Sequence, residues 1–125
     1  MKLRFAAALL VFAMSSGMAA DLPAASRAEI DALLNRLGSS GCEFNRNGSW
    51  YNSTEAKAHL TSKLNYLIEK KKVEGAEQFI ALAGSSSSMS GKEYLVKCGT
   101  AQPVPSSAWL KTELQTIRAR QALAK

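Results

Sequence analysis

His59 is the single histidine of the chain, and Lys63 follows it one helical turn later. An imidazole there could serve as general base for a serine of the segment Ser85 to Ser90, the pairing that attacks an ester or amide. Glu55, one turn earlier on the same helix face, could orient the ring and fix its tautomer. No Gly-x-Ser-x-Gly elbow exposes such a nucleophile, and no oxyanion hole is recognisable. The plainer expectation has His59 packed at the edge of the core and hydrogen-bonded locally. No catalytic residue is assigned.

The segment Gly84 to Lys92 invites comparison with a phosphate-binding loop, but six residues rather than four separate its glycines. A strand rather than a helix is expected after it, so the helix-dipole phosphate site is missing. Met89 stands where a Ser-x-x-Lys nucleophile would need its serine. A polar, glycine-flanked loop can still bind a sugar or an anion through hydroxyls and backbone amides, although such loops are more often plain connections. Arg46 and Asn47 beside Trp50 and Tyr51 would make an aromatic and polar edge; the favoured expectation is that Trp50 is core and Tyr51 half-buried. The binding candidates are Arg46, Asn47, Tyr51, His59, Ser90 and Lys92. One histidine and two cysteines without a C-x-x-C cannot complete a zinc set, so no metal and no cofactor is expected.

The chain has 125 residues and a formal charge of +6. Lys2 and Arg4 precede an apolar run from Phe5 to Met14, and small residues close the segment at Ala19 and Ala20. Charge, apolar centre and small-residue site are the layout of a secretory signal peptide, cleaved after Ala19 or Ala20. The run is about half the ~20 residues of a membrane span. Residues 1–20 are thus expected to be a signal peptide and 21–125 a single domain. Taking Lys2 and Arg4 from 16 basic residues leaves 14 against 10 acidic, a charge of +4. No later segment approaches membrane length.

Export would place Cys42 and Cys98 in an oxidising compartment, where one pair allows one connectivity. A structural disulfide is expected. The basic residues are dispersed, and the run Lys70 to Lys72 is explained by the end of a helix, so no nucleic-acid partner is expected.

Ser26 and Glu29 form a capping box ahead of Ile30, Leu33, Leu34 and Leu37, with Gly38 placed for a left-handed C-terminal cap. Cys42–Phe44 and Ser49–Tyr51 flank Asn45-Arg46-Asn47-Gly48, whose Asn-Gly pair is the best signal for a tight hairpin turn. Asn52 or Ser53 caps a helix through Ala56, Leu60, Leu64, Leu67 and Ile68. A short helix through Ala76, Phe79, Ile80 and Ala83 ends at Gly84. Residues 85–91 read as a loop, Glu93 to Cys98 as a strand with Tyr94, Val96 and Cys98 on one face, and 99–105 as a connector. Ser106 or Ser107 caps a last helix with Leu110, Leu114 and Ile117. The fold class is α+β: a small antiparallel sheet, hairpin plus a later strand, packed with about four helices and one disulfide.

Cys42-Glu43-Phe44-Asn45-Arg46-Asn47-Gly48-Ser49-Trp50-Tyr51, followed by Glu55-Ala56, His59-Leu60 and Lys63, is distinctive. With Ala76-Glu77-Gln78-Phe79-Ile80, Ser90-Gly91-Lys92, Tyr94 and Cys98, it resembles a family of small exported Gram-negative proteins of unknown function, the YfeK-like family. The resemblance runs from the first helix to Trp109-Leu110. It implies a periplasmic address and a self-contained domain, and it carries no activity to transfer. The expected function is a non-enzymatic binding or interaction module of the cell envelope, acting as a monomer on an envelope protein or polymer. A small serine hydrolase of an envelope ester or amide is the alternative.

Overall fold

The structure is a computed structural model and describes residues 21–124. The expected signal peptide lies outside the described residues. Helix α1 spans Ala24–Ser39 and buries Ile30, Leu33, Leu34 and Leu37 on one stripe. It begins before the expected capping box: Pro23 is the N-cap, and the Arg27 amide donates to the Pro23 carbonyl at 2.9 Å. Ala24 and Ala25 are strong helix formers, so the helix runs back to the proline that stops it. Glu29 instead accepts two bonds from Arg118 on the last helix, at 2.8 and 3.0 Å. Gly38 does not cap this helix but lies inside it, because Lys57 of the next helix crosses over it. A Cβ on Gly38 would lie 2.7 Å from Lys57 Cδ. The left-handed residue after the helix is Gly41, at φ +69°.

Strands β1 (Glu43–Arg46) and β2 (Ser49–Tyr51) form the expected hairpin. Asn47 and Gly48 make its two-residue turn at φ 54° and 87°, the conformation that favours this residue pair. Asn52 caps α2 (Ser53–Glu69) by accepting from the Glu55 amide at 2.8 Å. Buried Ser53 donates to the Cys42 carbonyl at 2.7 Å, seating the start of α2 on the beginning of β1. Helix α3 spans Ala76–Leu82, and α4 spans Ser106–Leu123. Neither Ser106 nor Ser107 caps α4. Pro105 is the N-cap, and the fully buried Ser106 hydroxyl has no hydrogen-bond partner among the described residues.

Strand β3 (Leu95–Lys97) pairs with β1, and a two-residue strand β4 (Val104–Pro105) adds an edge within the expected connector. The antiparallel order is β2-β1-β3-β4. Phe44, Tyr94 and Val96 point from the sheet into the core, where they join Leu33, Leu60, Phe79 and Leu110 from the helices. Disulfide Cys42–Cys98 closes the β1–β3 end of the sheet, as expected. Arg118 also pairs with Glu77, so α4 is tied to both α1 and α3. Among the described residues, no helix is long and apolar enough to cross a membrane.

The candidate binding cluster at Arg46 and His59

The period of two along β1 sends Phe44 and Arg46 toward the helices and Glu43 and Asn45 away. Arg46 therefore reaches α2, where its Nη1 donates to His59 Nδ1 at 2.5 Å. An arginine only donates, so Nδ1 must be the lone-pair nitrogen and the imidazole proton sits on Nε2. Nε2 then donates to the Tyr94 hydroxyl at 3.1 Å. Lys63, on the same face of α2 by the i,i+4 rule, donates to the same hydroxyl at 3.2 Å and to the Ser86 carbonyl at 2.9 Å. Tyr94 is a buried acceptor shared by two side chains of α2.

Electrostatics keep this imidazole neutral. Burial first, then the charges of Arg46 and Lys63, lowers the His59 pKa from 6.5 to about 4. Burial is also the main cause that lowers the Lys63 pKa, with Arg46 adding to it. Burial raises the Tyr94 hydroxyl. The partners of His59 are thus an arginine and a tyrosine. Among the described residues, neither Glu55 nor a loop serine hydrogen-bonds it.

Tyr51 sits next to this cluster, half-buried as expected. The Arg46 guanidinium carbon lies 4.9 Å from its ring centre, and Nη2 reaches its hydroxyl at 3.4 Å. Trp50 departs from the expectation that it is core: it is 43% exposed. Tyr51 is opposite Phe44 in the register, so its neighbour Trp50 must face the open side of the sheet.

The serine segment is more ordered than a featureless loop. Ser87 is buried, its amide donates to the Lys92 carbonyl, and its hydroxyl accepts from the Met89 and Ser90 amides. Ser90 donates to Asn47 Oδ1 at 2.6 Å, and Asn47 Nδ2 reaches the Ser87 hydroxyl at 3.4 Å. The hairpin turn and serine turn are thereby joined. Arg46 meets His59 and Tyr51 directly, whereas Asn47 and Ser90 pair with each other where the two turns adjoin. Lys92 stands apart on the far limb of the turn with its side chain exposed. Lys63 and Tyr94 complete the cluster, although they were not among the binding candidates. Their inward faces were readable from spacing; their meeting with Arg46 depends on how α2 crosses the sheet.

Two concavities share the Arg46–Tyr51 wall. One, of about 260 Å³, lies between the hairpin and α2 and is backed by Phe44, Ala56 and Ala58, with His59 and Glu55 at its edge. The other, of about 330 Å³, opens between the two turns against Asn47, Ser49, Ser87 and Met89. Among the described residues, no group of three or more histidine, cysteine or acidic side chains is placed to hold a metal ion.

These features define a small α+β domain closed by one disulfide, with a basic and aromatic cluster between hairpin and helix. The chain belongs to a family of unknown function, DUF5329, whose model matches residues 24–118. It is 41% identical over 76 residues to the uncharacterized protein YfeK of Salmonella typhimurium, covering 60% of this chain and 62% of that relative. The chain thus spans less than two thirds of that relative's length. No solved structure matches it.

Proposed function

We propose that this protein is a non-enzymatic binding module of the cell envelope, reaching the periplasm through a cleaved signal peptide, with the joined hairpin and serine turns as its binding face. The observation that carries this reading is the Ser90–Asn47 bond, which with the Asn47–Ser87 bond holds two polar loops together beside Arg46. Loops positioned by a rigid scaffold are where recognition residues concentrate. Here the scaffold is the disulfide-closed sheet.

The test is photo-crosslinking in cells from positions 47 and 90, each replaced in turn by a photoreactive residue. Both positions should capture the same envelope species, and Arg46→Ala should weaken that capture while leaving the fold intact. Capture of nothing from either position, or capture indifferent to Arg46→Ala, would show that this face is not the binding surface.

A further inference from the structure

The charges around the 260 Å³ concavity are out of balance in a specific way. Arg46 is half-buried, yet its described partners, His59 and Tyr51, are neutral groups. Among the described residues, no carboxylate lies within 4.0 Å of Arg46 or of Lys63. The other half-buried arginine, Arg36, does have a carboxylate partner in Glu113. A partly desolvated guanidinium normally finds an anion, because its fork of donors matches a carboxylate or phosphate in plane. His59 and Tyr51 engage Nη1 and Nη2 and leave Nε–H without a described partner.

The rest of the wall selects among anions. Phe44, Tyr51, Ala56 and Ala58 offer ring and methyl surface, which a hydrated phosphate does not need and an apolar organic acid does. The volume is below the usual ~300–1,000 Å³ of small-molecule sites, so it suits a group about the size of one amino-acid residue. Glu55 lines the same concavity and has no ion-pair partner among the described residues. Two opposite charges thus face one small apolar space without pairing with each other.

We propose that this concavity binds the carboxylate of an apolar amino-acid residue, with Arg46 as its anchor and Phe44, Tyr51, Ala56 and Ala58 around the side chain. Such a carboxylate can belong to a free amino acid, whose ammonium would meet Glu55, or to the end of a peptide, which has no ammonium there. The proposal goes beyond the reading of the joined turns as a binding face: this concavity shares Arg46 and Tyr51 with that face but lies on the α2 side of the hairpin.

The test is calorimetric or NMR titration of the purified full chain with N-acetyl-L-leucine, L-leucine, N-acetyl-L-leucinamide and inorganic phosphate. At least one of the two acids should bind, with the neutral amide weaker by about tenfold or more. Tighter binding of L-leucine identifies the free amino acid as the source; tighter binding of N-acetyl-L-leucine identifies a peptide end. Arg46→Gln should abolish the preference for acid over amide, with retention of fold checked by thermal melting. Equal binding of acid and amide, phosphate binding as well as either acid, or no acid binding up to about 10 mM would overturn the proposal. These comparisons use the unmodified protein, so they decide the matter even if Arg46→Gln does not fold. Because they need no cellular partner, their failure is distinguishable from failure of the crosslinking that tests the envelope module.

Discussion

Arg46 of β1 and His59 of α2 are joined through Nη1 and Nδ1 at 2.5 Å, a bond that exists only while the imidazole is neutral. Protonating Nδ1 would remove the acceptor and place a third positive charge beside Arg46 and Lys63. The bond therefore links the hairpin to the helix in a pH-dependent way.

The sign follows from the two pKa values. The unfolded imidazole titrates near 6.5 and the folded one near 4. Between those values the unfolded chain holds more protons, so stability is full above pH 6.5 and falls as the pH drops toward 4. Screening at the half-exposed ring limits the loss to about 1–2 kcal/mol. Urea unfolding across this window should show that loss in the wild type and a flatter profile in His59→Gln, whose amide oxygen can still accept from Arg46. Identical profiles would mean that His59 does not carry the effect.

Two glycines in similar sequence settings should respond to alanine in opposite directions. At Gly84, a Cβ would lie 2.5 Å from Leu110 Cδ1 and 3.3 Å from the Ile80 carbonyl, so α4 and α3 must part. Gly84→Ala should cost about 1–3 kcal/mol by overpacking. At Gly38 the obstruction is the flexible Lys57 side chain, whose surface bond to Asn35 contributes little. Gly38→Ala should gain up to about 1 kcal/mol of helix propensity. Thermal melting of both variants reads the contrast, about 4–8 °C per kcal/mol for a domain of this size.

Much of this architecture was legible because local rules and tertiary packing agree. The Asn47-Gly48 turn, the Asn52 cap and the stripe on α2 follow from residue type and period alone. The failures share a cause, which is contact with a distant element. Glu29 is claimed by Arg118, Gly38 is a crossing point for Lys57, and Ser106 is buried before it can cap. Strand β4 is only two residues long and contains a proline, so periodicity could not mark it. In the candidate cluster, the shared face of Tyr94 and Val96 was readable, but Arg46 was expected in the turn and its pairing with His59 was not legible. It depends on the angle at which α2 lies over the sheet.

Lys71 ends α2 in the left-handed region at φ 54°, where a glycine is usual. The Lys71 amide donates to Ile68 and the Lys72 amide donates back to Leu67, the paired bonds of a Schellman cap. A side chain in that conformation costs about 1 kcal/mol relative to glycine. Its 3.8 Å contact with Asp21 is exposed and offsets little of this. Lys71→Gly should therefore raise the unfolding free energy by about 1 kcal/mol. A lower melting temperature in Lys71→Gly would show that the lysine side chain contributes more than its surface position implies.

The disulfide should have the largest single effect on stability. Cys42 and Cys98 are separated by 56 positions, and the bridge closes a loop holding the hairpin, α2, α3 and β3. Loop-closure entropy for that length corresponds to about 4 kcal/mol of restriction on the unfolded chain. Cys42→Ser with Cys98→Ser should lose several kcal/mol at equilibrium, about a third or more of the stability usual for a small domain. Ser53 bonds the Cys42 carbonyl rather than its sulfur, so the anchor of α2 on β1 should outlast the bridge in whatever fraction remains folded. Adding Ser53→Ala to the double serine variant should then destabilise it further by about 1 kcal/mol, measured by urea unfolding. An unchanged midpoint would mean that the anchor depends on the disulfide.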